Sequence, residues 1–288
     1  MLANALVSSS IYVLVALGYV IVYRSSRVLN FAHGEIFMIG GYLTFAFLSS
    51  TGFDPIIALP FSLLMGFLIG VAVYFVLMAP MAGHPLFAAV LVTIGFGIVV
   101  RGIALMGFQG QILYPGRMLG FTEHPIKVLP GLEFTTTGFY LVVSAVCVVL
   151  ALLAFFRFSS IGIRMRAASH DARLAAFRGI NIHFVFALAW GISTSIAIYT
   201  SSLYSFGHQV NPHLTEVAIR GLAVALVGGM DSLKGVFPAA LLVAFAEQLS
   251  QHYVSPQSAD AIPFIVLLIV LMVRPWGLFG TKEAIDRI

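Results

Sequence analysis

Charged residues are scarce in this chain. Only 9% of its 288 residues are Asp, Glu, Lys or Arg, whereas 60% are hydrophobic, and the mean hydropathy is +1.03. A typical soluble domain carries roughly 25% charged residues. The composition therefore excludes an ordinary soluble protein and indicates a chain that lies in a lipid bilayer.

Cysteine and several catalytic patterns are missing as well. Cys147 is the single cysteine, so an internal disulfide and a cysteine metal site are excluded. No GxxxxGK(S/T) loop occurs, so the chain is not expected to hydrolyse ATP. No serine has the supporting motif of a nucleophile, which argues against an intramembrane enzyme. We therefore expect no catalytic residue, no metal and no cofactor bound by this chain.

Long uncharged runs dominate what remains. Each is long enough to cross about 30 Å of hydrocarbon as a helix, and they cover residues 2–23, 36–53, 55–100, 134–156 and 179–215. Pro80, Gly83 and Pro85 divide the run 55–100 into two helices, because proline ends helices and glycine turns easily. These runs contain no Asp or Glu, which argues against a stand-alone secondary transporter coupled to protons.

A Gly-rich region follows the sixth predicted span. Its uncharged runs, 221–230 and 235–246, are too short to cross the bilayer at 1.5 Å per residue. Within 218–250 we therefore expect either a re-entrant hairpin or two thin helices. With a last helix ending at Arg274, the sequence predicts an all-α polytopic membrane protein of about eight segments, folded as one domain over residues 1–288.

Arginines set the expected orientation. Arg24 and Arg27 follow the first span directly, and the segment 157–183, here called the arginine island, holds five arginines and one aspartate, Asp171. Positive charge accumulates on the cytoplasmic side of membrane proteins. The N-terminus and the connection 108–137 are therefore expected outside, and the arginine island and the C-terminus inside. The net charge of +4 needs no nucleic-acid partner to explain it.

The arginine island is expected to form one helix of about 16 residues, beginning at Ser160 or Gly162 and ending at Gly179. At 100° per residue, small residues share one face on which another backbone can approach closely: Ala168, Ala172, Ala175, Ala176 and Gly179. Asp171 has no basic residue three or four positions away and is available to a partner. The alternative is a basic loop that lies on anionic lipid headgroups.

Several polar residues and glycines are candidates for a substrate pathway. Asn30 is placed to cap a helix that begins near Ala32, and Glu35 falls in its first turn. His33 and Glu35 do not share a helix face, so they do not form a metal site. Glu216 and Arg220 are spaced to pair within one helix.

The remaining candidates stand beside the second span and the Gly-rich region. Paired glycines allow close approach of a backbone to a solute or to another helix, and both interpretations remain open. Arg101 lies inside the fourth span. It is either a pathway residue or a side chain that extends to the membrane–water interface. The candidate pathway therefore comprises Asn30, His33, Gly40, Gly41, Arg101, Gly228, Gly229 and Ser232.

Four motifs in register resemble one family. They are RVLNFAHGE at 27–35, RAASHD at 166–171, VGGMDSLKG at 227–235 with Glu247, and RPWGLFG at 274–280. Together they resemble the branched-chain amino-acid ABC importer permeases of the LivH type, from the first helix to the tail. One departure is Arg166, which stands where a glutamate is usual in importer coupling motifs.

The resemblance implies a permease subunit in a bacterial inner membrane that moves solute inward by alternating access. Its implied partners are a second, similar permease, two ATPase subunits that bind ATP, and an extracytoplasmic solute-binding protein. It also implies that 157–183 is a cytoplasmic coupling loop, with Arg166, Ala168, Asp171, Ala172, Ala175 and Gly179 at the ATPase contact. Branched-chain amino acids are the expected substrates; urea, amides, and aromatic or dicarboxylic acids are the alternatives.

Overall fold

The structure, a computed structural model, describes residues 1–52, 55–118 and 120–282. Within these residues, six helices are long and apolar enough to cross a membrane: Leu2–Ser26, Ile57–Met81, Leu86–Phe108, Thr136–Phe158, Ile182–Gly207 and Leu233–Tyr253. The prediction of a polytopic helical membrane protein is confirmed.

The first part of the chain forms four long helices, α1 (Leu2–Ser26), α2 (His33–Thr51), α3 (Pro55–Val73) and α4 (Leu86–Phe108). Helix α3 continues through a π-helical turn, Tyr74–Met78, and a 3-10 turn, Ala79–Met81. The chain then turns, and Pro85 occupies the N-cap of α4. The predicted division of this long apolar run is therefore confirmed.

A small β-hairpin interrupts the helical pattern between α4 and the next long helix. After the short helix α5 (Pro115–Met118), strands β1 (Pro125–Leu129) and β2 (Leu132–Thr135) pair antiparallel. Lys127 Nζ lies 3.3 Å from Glu133 Oε1 on the opposite strand. The all-α prediction omitted this hairpin. The connection was interpreted from its balanced charges alone, and these do not indicate strands.

The arginine island is not one helix, and this prediction was wrong. Helix α6 (Thr136–Phe158) is followed by α7 (Ser160–His170) and α8 (Ala172–Phe177), with Asp171 extended between them at φ −152°. Its Oδ1 accepts a hydrogen bond from the backbone N–H of Leu174, 2.9 Å away. Asp171 is therefore the N-cap of α8. Aspartate is favoured at N-caps because its side chain bonds to the backbone, and this bond competes with a helix that continues through the residue.

The last part of the chain contains α9 (Ile182–Gly207), α10 (Leu214–Gly228), α11 (Leu233–Tyr253), α12 (Pro256–Ala259) and α13 (Ile262–Val273). The Gly-rich region is thus two helices. Helix α11 is long enough to span, so the expectation that both pieces are too short was wrong for α11. The uncharged run stops before Glu247, but the helix continues past this residue to Tyr253.

Helix α9 lies at the centre of the bundle, against α1, α2 and α3. A Cβ atom at Gly66 would lie 2.7 Å from the Cα of Ser195, and one at Gly40 would lie 2.9 Å from the Cα of Ile198. Between lipid-embedded helices, close contact through small residues replaces the hydrophobic drive of water. Gly66 and Gly70 form a GxxxG pattern, the signal for this contact.

The two C-terminal motifs contact each other. Backbone N–H groups of Leu278 and Phe279 donate to the carbonyl oxygens of Val227 and Gly228, at 2.8 and 3.1 Å. Gly229 has φ +102°, and a Cβ there would lie 2.5 Å from the backbone nitrogen of Gly280. A Cβ at Gly228 would lie 2.7 Å from the carbonyl oxygen of Gly235, so Gly228 packs against α11 and Gly229 against the tail segment 274–280.

Substituting Gly229 separates packing from a pathway role. Gly229→Ala should lower the free energy of unfolding by about 1–3 kcal/mol, because a side chain at positive φ is strained and its methyl group meets the tail. Thermal unfolding in detergent measures this. The control, Gly95→Ala, adds a methyl group with no atom within 4 Å and should leave stability near wild type. Normal stability of Gly229→Ala with reduced transport would contradict the packing interpretation.

Candidate functional site

A recess opens at the end of the bundle where α1 begins and α9 and α11 end. It encloses about 380 Å³, and we call it the polar recess. Its walls are the N-terminal part of α1, the β-hairpin, the first turns of α10 and the last turns of α9 and α11. The lining side chains that carry its chemistry are Ile11, Tyr12, Phe134, Val217, Arg220 and Glu247.

An ion cluster borders this recess, which Tyr12, Arg220 and Glu247 line. Tyr12 donates its hydroxyl to Glu247 Oε2 at 2.6 Å. Arg220 donates through Nη1 to Glu247 Oε1 at 3.2 Å and through Nη2 to Asp260 Oδ1 at 2.7 Å. The side chain of Glu247 is 8% exposed, that of Arg220 21% and that of Asp260 69%. The cluster joins α1, α10 and α11 through charge-assisted hydrogen bonds.

The pairing predicted for Arg220 was wrong. Glu216, one helical turn earlier, lies 2.9 Å from His213 Nδ1 instead, and Arg220 reaches across to α11 and the chain after α12. Local spacing favoured the pair within α10, but a partly buried guanidinium gains more from carboxylates that converge on it. Glu247 stood in a family motif, yet no pattern in the sequence connected it with Tyr12.

A second recess lies at the opposite end of α1 and encloses about 600 Å³. Its lining brings Arg24 together with Arg157, Arg166 and Lys234, so we call it the basic recess. The Arg24 guanidinium lies 5.5 Å from the centre of the Phe156 ring, a cation–π distance. The end of α1 and the arginine island therefore share one end of the molecule, opposite the polar recess.

The same end holds the Gly-rich loop and the tail. Asp231 accepts hydrogen bonds from the backbone N–H of Thr281, at 3.1 Å to Oδ2, and from the Thr281 hydroxyl. Ser232 caps α11 by accepting from the N–H of Gly235 at 3.2 Å, and it lines the basic recess. Ser232 therefore lies with the arginines and far from the polar recess.

The surface of the arginine island differs from the predicted small-residue face. Ala168 and Ala175 are buried against the chain's own helices, whereas Ala172 is half-buried. Leu174 and Phe177 are exposed, the latter to 87%. Because the chain is extended at Asp171, the residues counted on one helical face belong to two separate helices. The exposed apolar side chains were missed because the helical count assumed no break.

The end of α8 follows the prediction. Gly179 has φ +80° and is exposed, and the N–H of Ile180 donates to the carbonyl oxygen of Ala175 at 3.1 Å. This is a glycine-terminated helix end. Arg166 is exposed on α7 and faces the basic recess.

Two candidate pathway residues form the entry to α2. Asn30 is buried, and its Oδ1 accepts from the N–H of Ala32 at 3.1 Å, which closes a turn just before α2. The N-cap of α2 is Ala32, so the prediction that Asn30 caps the helix was wrong; α2 begins at His33 and carries Glu35 in its first turn. His33 is fully buried, with its ring 4.4 Å from that of Tyr19. Neither side chain lines the polar or the basic recess.

The other candidates also separate from the recesses. Gly40 packs against α9, and a Cβ at Gly41 would lie 2.9 Å from a methyl group of Val210, which favours the packing interpretation of this pair. Arg101 is exposed on α4. Across the described ranges, no group of three or more His, Cys, Asp or Glu side chains is arranged to hold a metal ion.

Comparison with known proteins places the chain in a family. Residues 1–271 match the family model described as "Branched-chain amino acid transport system / permease component". LivH of Escherichia coli (strain K12), a high-affinity branched-chain amino acid transport system permease protein, is 29% identical over 97% of this chain and 94% of its own length.

Two further relatives carry the same kind of name. BraD of Pseudomonas aeruginosa is 28% identical and covers 98% of this chain and 95% of itself. LivM of Escherichia coli (strain K12), a permease protein of the same kind of system, is 26% identical over 93% of this chain and 67% of itself. From its helical membrane fold and the family match over residues 1–271, this chain belongs to the permease components of branched-chain amino acid transport systems.

Proposed function

We propose that this chain is one permease subunit of an ATP-driven importer of branched-chain amino acids that works by alternating access. The family match over residues 1–271 carries the proposal, and the names of LivH and BraD supply the substrate class. The chain holds no cofactor of its own; partner ATPase subunits bind and hydrolyse ATP.

Two recesses at opposite ends suit such a role. The polar recess presents both signs of charge beside apolar walls, as a site that receives a small polar solute requires. The positive-inside rule puts the basic recess and the arginine island in the cytoplasm, so the polar recess faces outward. The N-terminus then lies outside and the tail inside the bacterial plasma membrane.

Exposed apolar surface supports a partner within the membrane. Helices α4 and α6 expose large side chains such as Ile98 and Leu150, and lipid or another helix must cover such surface. We place a second permease there, with similarity to LivM as support for a heterodimer of related chains. A solute-binding protein would deliver substrate to the polar recess.

The arginine island is the proposed ATPase contact. Leu174 and Phe177 project from α8 and are flanked by exposed Arg173 and Arg178, a pattern of apolar anchor and charged rim that is typical of protein interfaces. The residues Arg166, Ala168, Asp171, Ala172, Ala175 and Gly179 serve this contact mainly by shaping α7 and α8.

Uptake by the complete assembly tests the proposed function. Proteoliposomes that contain the permease pair and the ATPases, with binding protein outside, should accumulate labelled leucine when ATP is enclosed. A non-hydrolysable ATP analogue should abolish accumulation, because alternating access requires hydrolysis. ATP-driven uptake of urea or a dicarboxylate, with none of leucine, isoleucine or valine, would contradict the assigned substrate class.

Removing the aromatic anchor tests the coupling contact. Phe177→Ala should weaken association with the ATPase subunits about tenfold or more, because exposed aromatic anchors carry much of an interface's binding energy. Co-purification and a titration of ATPase subunits measure it. Met272→Ala is the matched control, since Met272 is an equally exposed apolar side chain on α13. Equal affinities for the two variants would argue that α8 lies on lipid headgroups.

A further inference from the structure

We propose that the polar recess binds a zwitterionic α-amino acid, with Arg220 holding the carboxylate and Glu247 the ammonium group, and that Asp260 occupies the carboxylate's place on Arg220. The inference rests on the proposed function only in that substrate enters from this end. It identifies a site, a substrate chemistry and a competing side chain.

Charge balance is the first support. Arg220 contributes +1, and Glu247 and Asp260 each contribute −1, so the ionised cluster carries +1 − 2 = −1. An α-amino acid brings one charge of each sign. If its carboxylate takes the place of Asp260 and its ammonium group joins Glu247, the recess holds two positive and two negative charges. The displaced Asp260 returns to water, where an ionised carboxylate is well solvated.

The two carboxylates differ in the way this exchange requires. Glu247 is held by both Tyr12 and Arg220 and is 8% exposed, so it is fixed. Asp260 is 69% exposed, lies just after the short helix α12 and reaches Arg220 through Nη2 alone. Such a surface ion pair contributes little to stability, so a substrate carboxylate can replace it. A planar guanidinium suits a carboxylate by geometry.

Apolar walls beside the cluster suit an aliphatic side chain. Val7, Ile11, Phe134 and Val217 line the same cavity, and its 380 Å³ falls at the small end of the range of roughly 300–1,000 Å³ for ligand pockets. Urea lacks both charges that the cluster satisfies, and a dicarboxylate would bring a second anion beside Glu247. Unpaired or repelling charges of this kind select against the wrong solute. The geometry therefore favours amino acids among the alternatives.

Asp260→Asn tests the inference directly. The variant should bind labelled leucine about two- to fivefold more tightly than wild type, because a competing surface ion pair of ordinary strength is removed. Binding is measured on the permease–ATPase assembly without binding protein, so that the membrane subunits alone discriminate. Leucinamide, which lacks the carboxylate, should compete equally poorly in both proteins.

Glu216→Gln is the matched control. Glu216 is an exposed carboxylate on α10 that contacts His213 and lies outside the ion cluster, so this variant should bind leucine as wild type does. Equal leucine affinities for Asp260→Asn and wild type, an equal gain for leucinamide, or no leucine binding by either protein would overturn the inference. Tighter binding by Asp260→Asn in an assembly without ATP-driven uptake would instead preserve the inference and overturn the proposed function.

Discussion

Close backbone packing around α9 is the constraint on which the rest of the structure depends. Apolar side chains gain little by leaving lipid for each other, so helices must approach closely and satisfy their polar groups internally. Gly66 and Gly40 allow that approach, and it brings some hydroxyls to a partner on the next helix, as Ser193 donates to the carbonyl oxygen of Gly18 at 2.8 Å. This packing fixes the positions of the helix ends, and residues at those ends line both recesses.

Much of the fold could be predicted because lipid leaves so few options. Uncharged runs marked the long spans, and Pro80 to Pro85 marked their division. The errors came where tertiary contacts decide: Asp171 caps α8 through its side chain, and α11 continues past Glu247 because Arg220 and Tyr12 satisfy that carboxylate. Counting charges along one chain cannot detect a partner supplied by another helix.

The site itself was less predictable than the fold. Local spacing paired Arg220 with Glu216, whereas the structure places Arg220 among groups 27 and 40 positions away in sequence. Most of the glycines that were candidates for the pathway pack against other parts of the chain. A glycine pair therefore does not distinguish a pathway from a helix contact, whereas an open, charged surface does. The ion cluster of the polar recess has that property, and the arginine island, for which we propose the ATPase contact, lies at the opposite end of the molecule.

Site-specific photocrosslinking at both ends tests the central claim most directly. A photoreactive residue at Phe177, exposed on α8, and one at Gln251, which lines the polar recess, are activated in the complete assembly during turnover. The account predicts ATPase subunits crosslinked at position 177 and the solute-binding protein at position 251. Binding protein at 177, ATPase at 251, or the same partner at both would contradict an importer permease oriented with its polar recess outside.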